Sequence, residues 1–130
     1  CHLPPGFAEG RRWGGVAISL YALRSSRNWG VGDCTDLERF IEWAARDACC
    51  AFVALNPLHS IPNRQPYNTS PYLPDGSLCR NPLYLDVERI PEFAASAEAQ
   101  ALWRSPEVET ELAALRDSRY VEYERVFALK

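Results

Sequence analysis

Residues 16–55, VAISLYALRSSRNWGVGDCTDLERFIEWAARDACCAFVAL, decide the fold because two short apolar runs flank one amphipathic segment. The runs are Val16–Leu23 and Ala51–Leu55. A short, nearly continuous apolar run is typical of a strand that is buried on both faces. We therefore predict a strand at each run.

The segment between the runs repeats its apolar residues at helical spacing. We predict a helix that begins at Thr35 and continues to about Asp47 or Ala48. Thr35 and Glu38 have the T-x-x-E pattern of a capping box, in which two side chains satisfy free backbone donors at a helix start. A strand, a helix and a strand in this order predict a parallel βαβ unit with a right-handed crossover. Two parallel strands alone leave sheet edges unpaired, so the pattern indicates an incomplete α/β domain.

A long proline-rich segment follows the second strand, from Asn56 to about Pro82. It holds six prolines and reads as irregular structure, which at this length is often functional. It leaves the carboxyl end of a parallel strand, where α/β folds place their ligand sites. We expect the functional face of the molecule here.

The remainder of the chain is predicted to be mostly helical. Leu83–Val87 is a short strand or an extended docking segment, and Ser96–Trp103 has a helical composition. Ser105 followed by Pro106 is a helix start, with the helix continuing from Glu107 to Arg116. A last helix is expected between Tyr120 and Leu129.

Composition excludes several classes of protein. The chain has 130 residues and a net charge of −3, so a nucleic-acid partner is not expected. It contains no apolar run of 18 residues, and its first residues lack the pattern of a signal peptide. It lacks Met throughout, which suggests a piece of a longer chain. No membrane partner is expected.

The five cysteines show no C-x-x-C spacing, and the chain has only two histidines. Neither a zinc site nor a disulfide framework is predicted. We interpret the cysteines as small buried apolar residues in a reducing cytoplasm.

Several motifs in order resemble the amylomaltase family of 4-α-glucanotransferases, most of all its long bacterial branch. Each motif is weak alone, but their order and spacing are specific and cover nearly the whole chain. They are VAISLYALRS at 16–25, NWGVGD at 28–33, DL at 36–37, LNPLH at 55–59, SPY at 70–72, NPLYLDV at 81–87 and YVEY at 120–123.

The resemblance implies a (β/α)₈ TIM barrel, of which residues 1–130 hold an incomplete first portion: the first βαβ unit, the long loop on the active face and the following helices. It implies retaining transfer of α-1,4-glucan segments between maltooligosaccharides, through a carboxylate nucleophile and a carboxylic acid/base. The motifs that carry those carboxylates are absent, so no residue here is assigned a catalytic role. No cofactor and no metal is implied, and the expected partners are an α-glucan and the rest of the barrel.

The resemblance assigns sugar binding to Tyr72, which matches a tyrosine that packs beside the scissile bond in the family. An aromatic face covers the apolar face of a pyranose, and the phenol can form hydrogen bonds. Ser70 of the same tripeptide could contact a sugar hydroxyl. From the residues alone, without the resemblance, Ser70-Pro71-Tyr72 favours a turn with a partly buried tyrosine.

Four further residues are candidates of the same kind. Asn56 and His59 directly follow the second strand and either contact glucan or brace the loop. Trp29 either stacks on a sugar or packs beside a tight glycine turn, after which Asp33 caps the helix. Tyr67 is an additional sugar platform in the long loop.

The sequence departs from the family pattern at three positions. Ser77 and Cys79 replace the usual arginine and aromatic residue of the loop, and Cys49 stands near a usual glycine at the helix end. A cysteine adopts a left-handed cap at greater cost than glycine. Two alternatives to an enzyme segment therefore remain open: a glucan-binding module without catalysis, and a purely structural fragment.

Overall fold

The computed structural model describes residues 6, 10, 12–64 and 69–130. Strands β1 (Gly15–Ile18) and β2 (Phe52–Leu55) pair in parallel, in a register that runs from Gly15 opposite Phe52 to Ile18 opposite Leu55. Helix α1 (Cys34–Arg46) connects them. The predicted α/β class and the parallel strand–helix–strand unit are confirmed.

The first strand is shorter than predicted. It ends at Ile18, and Leu20–Ala22 form a 3₁₀ turn closed by Ala22 N–H to Ser19 O at 2.9 Å. Leu20 is fully buried by this turn, and Gly32 lies so close to its carbonyl that a Cβ there would be 2.1 Å away. The first part of the apolar run is therefore a strand and the second part is a buried turn. Both are apolar, so the sequence pattern does not show where the strand ends.

The two strands are also more exposed than expected for strands buried on both faces. Exposed and half-buried residues alternate along β1 and β2, and Phe52 keeps 50% of its surface accessible. Among the described residues, the β1–β2 sheet has two strands.

Helix α1 begins one residue before the predicted start. Its N-cap is Asp33, whose side chain accepts hydrogen bonds from the backbone N–H groups of Thr35 (2.9 Å) and Asp36 (3.0 Å). Asp36 accepts the reciprocal bond from Asp33 N–H at 3.2 Å, which completes the capping box. The predicted Thr35–Glu38 box is therefore wrong, whereas the capping role of Asp33 is confirmed. Short aspartates on an extended N-cap reach these donors, which frees Thr35 for another contact.

The carboxyl end of α1 agrees with the sequence to within one residue, since Asp47 is its C-cap. Cys49 has a φ of 50°, and the next amide, Cys50 N–H, donates to Ala44 O at 2.8 Å. Cys49 thus adopts the left-handed conformation at the helix end, near the position where the family pattern has a glycine. The bond from Cys50 to Ala44 spans six positions along the chain, one more than the corresponding bond of a Schellman motif, and it satisfies a free carbonyl of the last turn.

The long segment after β2 was predicted to be irregular, and this is wrong for the part of it that forms two strands. Strands β3 (His59–Ser60) and β4 (Gly76–Arg80) form an antiparallel hairpin with a bulge between His59 and Ser60. A two-residue strand among prolines has no periodicity to detect. Leu83–Val87 is not a strand either, because Pro82–Tyr84 and Val87–Arg89 are 3₁₀ turns.

The predicted helical character of the remaining chain is confirmed. Ser96 and Ser105 cap their helices by accepting from Ala99 N–H (3.1 Å) and Val108 N–H (3.3 Å). The helices are α2 (Pro91–Ala95), α3 (Ala97–Trp103), α4 (Pro106–Asp117) and α5 (Tyr123–Leu129).

The main apolar core lies between the loop after β1 and the last two helices. It is formed by Val31, Leu83, Leu115, Val121 and Val126. Over the residues the structure describes, no helix is long and apolar enough to cross a membrane.

The four cysteines that the structure describes do not lie in this core, and Cys1 lies outside the described residues. Cys34, Cys49 and Cys79 are exposed and Cys50 is half-buried, so the prediction that they are buried is wrong. Their apolar neighbours are exposed as well, since Ala48, Ala51 and Leu78 all lie at the surface.

Candidate functional site

A cavity of about 280 Å³ lies at the carboxyl ends of β1 and β2. The last residues of both strands form its floor, and Ser19, Asn56 and Tyr72 complete its lining. Parallel strands end at the same edge of their sheet, so the residues that follow them meet there. Two of the sequence-predicted site residues, Asn56 and Tyr72, are therefore in one place.

Tyr72 lines this cavity with 70% of its surface accessible. It lies on a turn closed by Leu73 N–H to Ser70 O at 3.2 Å. The Ser70 hydroxyl oxygen accepts a hydrogen bond from Tyr72 N–H at 3.4 Å. The turn of the alternative interpretation is therefore present and is braced by Ser70, but its partly buried tyrosine is wrong, because the turn presents the ring to solvent.

Asn56 and His59 are polar groups with unused hydrogen-bonding capacity. Both amide atoms of Asn56 and Nδ1 of His59 are shielded from solvent and have no partner among the described residues. Leaving a buried polar atom unpaired costs about 1–3 kcal/mol. Asn56 borders the cavity, whereas His59 lies in β3 opposite Arg80 and does not line it.

Trp29 is placed differently from the other candidates. Only 5% of its surface is accessible, and its indole N–H donates to Glu88 Oε1 at 3.0 Å. The ring borders a separate apolar cavity beside α3 and α4, away from Tyr72. This environment fits the interpretation of Trp29 as a packing residue rather than a residue that stacks on a sugar. Tyr67, the other proposed sugar platform, lies outside the described residues.

A charged cluster around Arg27 was not foreseen from the sequence. The Arg27 guanidinium is paired with Asp33, with Asp36 at 3.3 Å and with Asp86 at 2.9 Å. Thr35 Oγ1 donates to Asp86 at 2.5 Å, so the start of α1 is joined to residue 86. Arg27 stands beside the NWGVGD motif, but sequence spacing gives no means of pairing it with an aspartate 59 residues away.

Hydrogen bonds favour the charged forms of Asp36 and Arg27. Burial acts to raise the pKa of Asp36, but Asn28 Nδ2 and Ser25 Oγ each donate to it at 2.8 Å, and the net effect is a lowered pKa. Burial likewise opposes the charge on Arg27, whereas its bond to Asp33 and the nearby carboxylates raise its pKa. The ion pairs of Arg27 thus tie the loop after β1 to the segment at Asp86. In the described part of the chain, no group of three or more His, Cys, Asp or Glu residues could hold a metal ion.

Comparisons with known proteins agree with these features. Residues 18–130 match the 4-alpha-glucanotransferase family, glycoside hydrolase family 77. A 4-alpha-glucanotransferase of Haemophilus influenzae is 38% identical over 127 residues, and one of Mycobacterium tuberculosis is 44% identical over 97 residues. These alignments cover 98% and 70% of this chain.

The structure of amylomaltase from Corynebacterium glutamicum superposes with a TM-score of 0.76 and 31% sequence identity, over 95% of this chain. The match covers 17% of that amylomaltase, and the two relatives are covered over 18% and 13% of their lengths. The chain thus spans less than a fifth of the length of these proteins. Both sequence and fold place it in one family: the chain belongs to the 4-alpha-glucanotransferases of glycoside hydrolase family 77.

Proposed function

We propose that this chain is the first portion of a (β/α)₈ barrel in a 4-α-glucanotransferase, and that it forms one wall of the α-glucan site. The observation that carries the proposal is the cavity at the carboxyl ends of β1 and β2, with an exposed tyrosine above it. Barrel enzymes build their sites at this end of the strands. The family and the share of its members that is matched support the same reading.

In this proposal the chain binds substrate and the remaining barrel supplies the reaction. Tyr72 covers the apolar face of a glucose unit, and its hydroxyl forms a hydrogen bond with the sugar. Asn56 offers an amide beside the same cavity, while Ser70 and His59 hold the loop that carries Tyr72. The nucleophile and the acid/base belong to later strands, so the 130-residue chain by itself is inactive.

The proposed substrates are maltooligosaccharides, between which α-1,4-glucan segments are transferred with retention of configuration. The second partner is the rest of the barrel, which would cover the exposed faces of β1 and β2. We place the protein in the cytoplasm, in keeping with the four free cysteines of the described chain.

The test uses the full-length protein that contains this sequence, incubated with maltotriose. The intact protein should release glucose and form longer maltodextrins. Tyr72→Ala should lower kcat/KM about tenfold or more through the loss of the aromatic platform, whereas Tyr72→Phe should retain most of the activity. Tyr120→Ala is the matched control, because Tyr120 is equally exposed at 67% but does not line the cavity.

Three outcomes separate the alternatives. Maltotriose conversion that depends on Tyr72 supports an enzyme site. Saturable maltooligosaccharide binding without conversion, lost in Tyr72→Ala, would replace it with a non-catalytic binding module. The absence of both binding and conversion would leave a structural fragment.

A further inference from the structure

Two buried asparagines close the base of the loop that carries Tyr72. Asn63 Nδ2 donates to Asn81 Oδ1 at 3.0 Å, and Asn81 Nδ2 donates to Asn63 Oδ1 at 2.8 Å. Their exposed fractions are 4% and 2%. Each amide therefore donates one hydrogen bond to the other and accepts one from it, in a pair that is shielded from water.

Asn81 ties together three stretches of chain. Its Oδ1 also accepts Leu83 N–H at 3.0 Å, which caps the 3₁₀ turn that begins at Pro82. Its backbone N–H donates to Leu58 O at 3.0 Å, beside the β3–β4 hairpin. The pair thus joins Asn63 to Asn81, which is itself held by its hydrogen bonds with Leu58 and Leu83.

Asn63 is placed for this contact by an uncommon backbone conformation. Its φ is 55°, in the left-handed region that asparagine tolerates better than most residues. The preceding Ile61 is buried, so the chain turns inward after β3 and then back toward Asn81. An asparagine at 63 supplies both the turn and the amide that closes the loop.

The closed loop contains the proposed sugar platform. Residues 64–80 leave the pair and return to it, and Ser70–Tyr72 lie within them. A second tie, Asp75 N–H to Ser60 O at 3.0 Å, holds the returning arm just before β4. Loop residues without such ties sample many conformations, and ordering them on binding costs free energy.

We propose that Asn63 and Asn81 are a positioning pair that presets Tyr72 over the cavity before a glucan arrives. The inference rests on the proposed function, and it assigns the pair a part in substrate affinity. Neither asparagine touches the sugar. Their effect passes through the loop to Tyr72, so it disappears when Tyr72 is removed.

The test variants are Asn63→Asp and Asn81→Asp in the full-length protein. Each keeps the size of the side chain and replaces one amide donor by an acceptor, so one of the two hydrogen bonds is lost and two oxygens face each other. Asn81→Asp also keeps an oxygen to accept Leu83 N–H, so the cap is preserved. Aspartate tolerates the positive φ at position 63.

With maltotriose as substrate, each variant should raise KM about five- to tenfold while kcat stays within about twofold. In a Tyr72→Ala background the same substitutions should change KM by less than twofold. Leu112→Ala is the control for lost stability. It removes a buried side chain of α4 and should leave KM unchanged. A KM that does not rise, or one that rises as much without Tyr72, would overturn the proposal.

Hydrogen exchange over residues 69–80 provides a readout that needs no activity. Exchange of this segment should be faster in both aspartate variants than in the parent, while α4 is unchanged. Equal exchange would overturn the presetting step even in an active enzyme. If the parent fails to convert maltotriose, the proposed function fails, and faster exchange in the variants would still show that the pair orders the loop.

Discussion

Cys49 ends α1 in a conformation that favours glycine, and this gives a sharp test of the local energetics. The residue has a φ of 50° and an exposed side chain. The left-handed conformation costs a residue with a Cβ roughly 1–2 kcal/mol. Replacing Cys49 with glycine removes that cost but adds about 0.5–1 kcal/mol of backbone entropy in the unfolded state. We expect Cys49→Gly to raise the free energy of unfolding by about 0.5–1 kcal/mol.

The measurement is urea unfolding followed by circular dichroism, in the presence of a reducing agent. The midpoint should rise without a change in slope, and the melting temperature should increase by about 2–4 °C. The hydrogen bond from Cys50 N–H to Ala44 O is kept, because glycine adopts this φ without strain.

Two control variants separate backbone conformation from loss of the thiol. Cys49→Ala keeps a Cβ and should leave stability nearly unchanged, since the thiol is exposed. Ala48→Gly places glycine at a residue with negative φ and should destabilise. The reasoning is refuted if Cys49→Gly is no more stable than Cys49→Ala.

Three further predictions concern the core, the charged cluster and alkaline pH. Leu83→Ala should cost about 2–5 kcal/mol in urea unfolding because Leu83 is fully buried in the core; a loss below 1 kcal/mol would contradict that placement. Arg27→Met should lower the free energy of unfolding by about 2 kcal/mol, because three aspartates lose their cation. The double variant Arg27→Met/Asp86→Asn should lose less than the sum of the two single variants. Strict additivity of the two losses would rule out the ion pair between Arg27 and Asp86. Burial raises the pKa of Tyr84 and of Tyr123 from 10.0 to about 12. Their stabilising contribution is therefore complete below about pH 10 and lost as the pH rises toward 12. Phenolate absorbance should show late-titrating tyrosines, one fewer in Tyr84→Phe, and a single transition near pH 10 would refute this.

The strand–helix–strand unit could be predicted because its signals are local and repeated. The apolar face of α1 recurs over several turns, and β2 is a short apolar run stopped by Asn56-Pro57. The helix ends were harder, because two overlapping patterns competed for the start. Asp33 took the cap, and Thr35 was used instead by Asp86, a contact that only the folded chain reveals.

The candidate site was predictable where it follows the strands and hidden where it depends on distant pairing. Asn56 and Tyr72 meet at one cavity, as position after a parallel strand suggested for the first of them. Trp29 is a residue type that commonly stacks on sugars, yet its ring is buried and Glu88 accepts the hydrogen bond of its indole N–H. The Arg27–Asp86 tie and the Asn63–Asn81 pair join residues through folding alone, so no spacing rule anticipates them.

The reciprocal asparagine pair also bears on how this loop can change over evolutionary time. A loop whose ends are pinned to each other can gain, lose or exchange residues with little effect outside it, because lengthening a closed loop adds only slowly to its entropy. Ser77 and Cys79, which depart from the family pattern, both lie inside that closure. We expect substitutions within residues 64–80 to alter the loop that carries Tyr72 while the scaffold beneath it is left undisturbed.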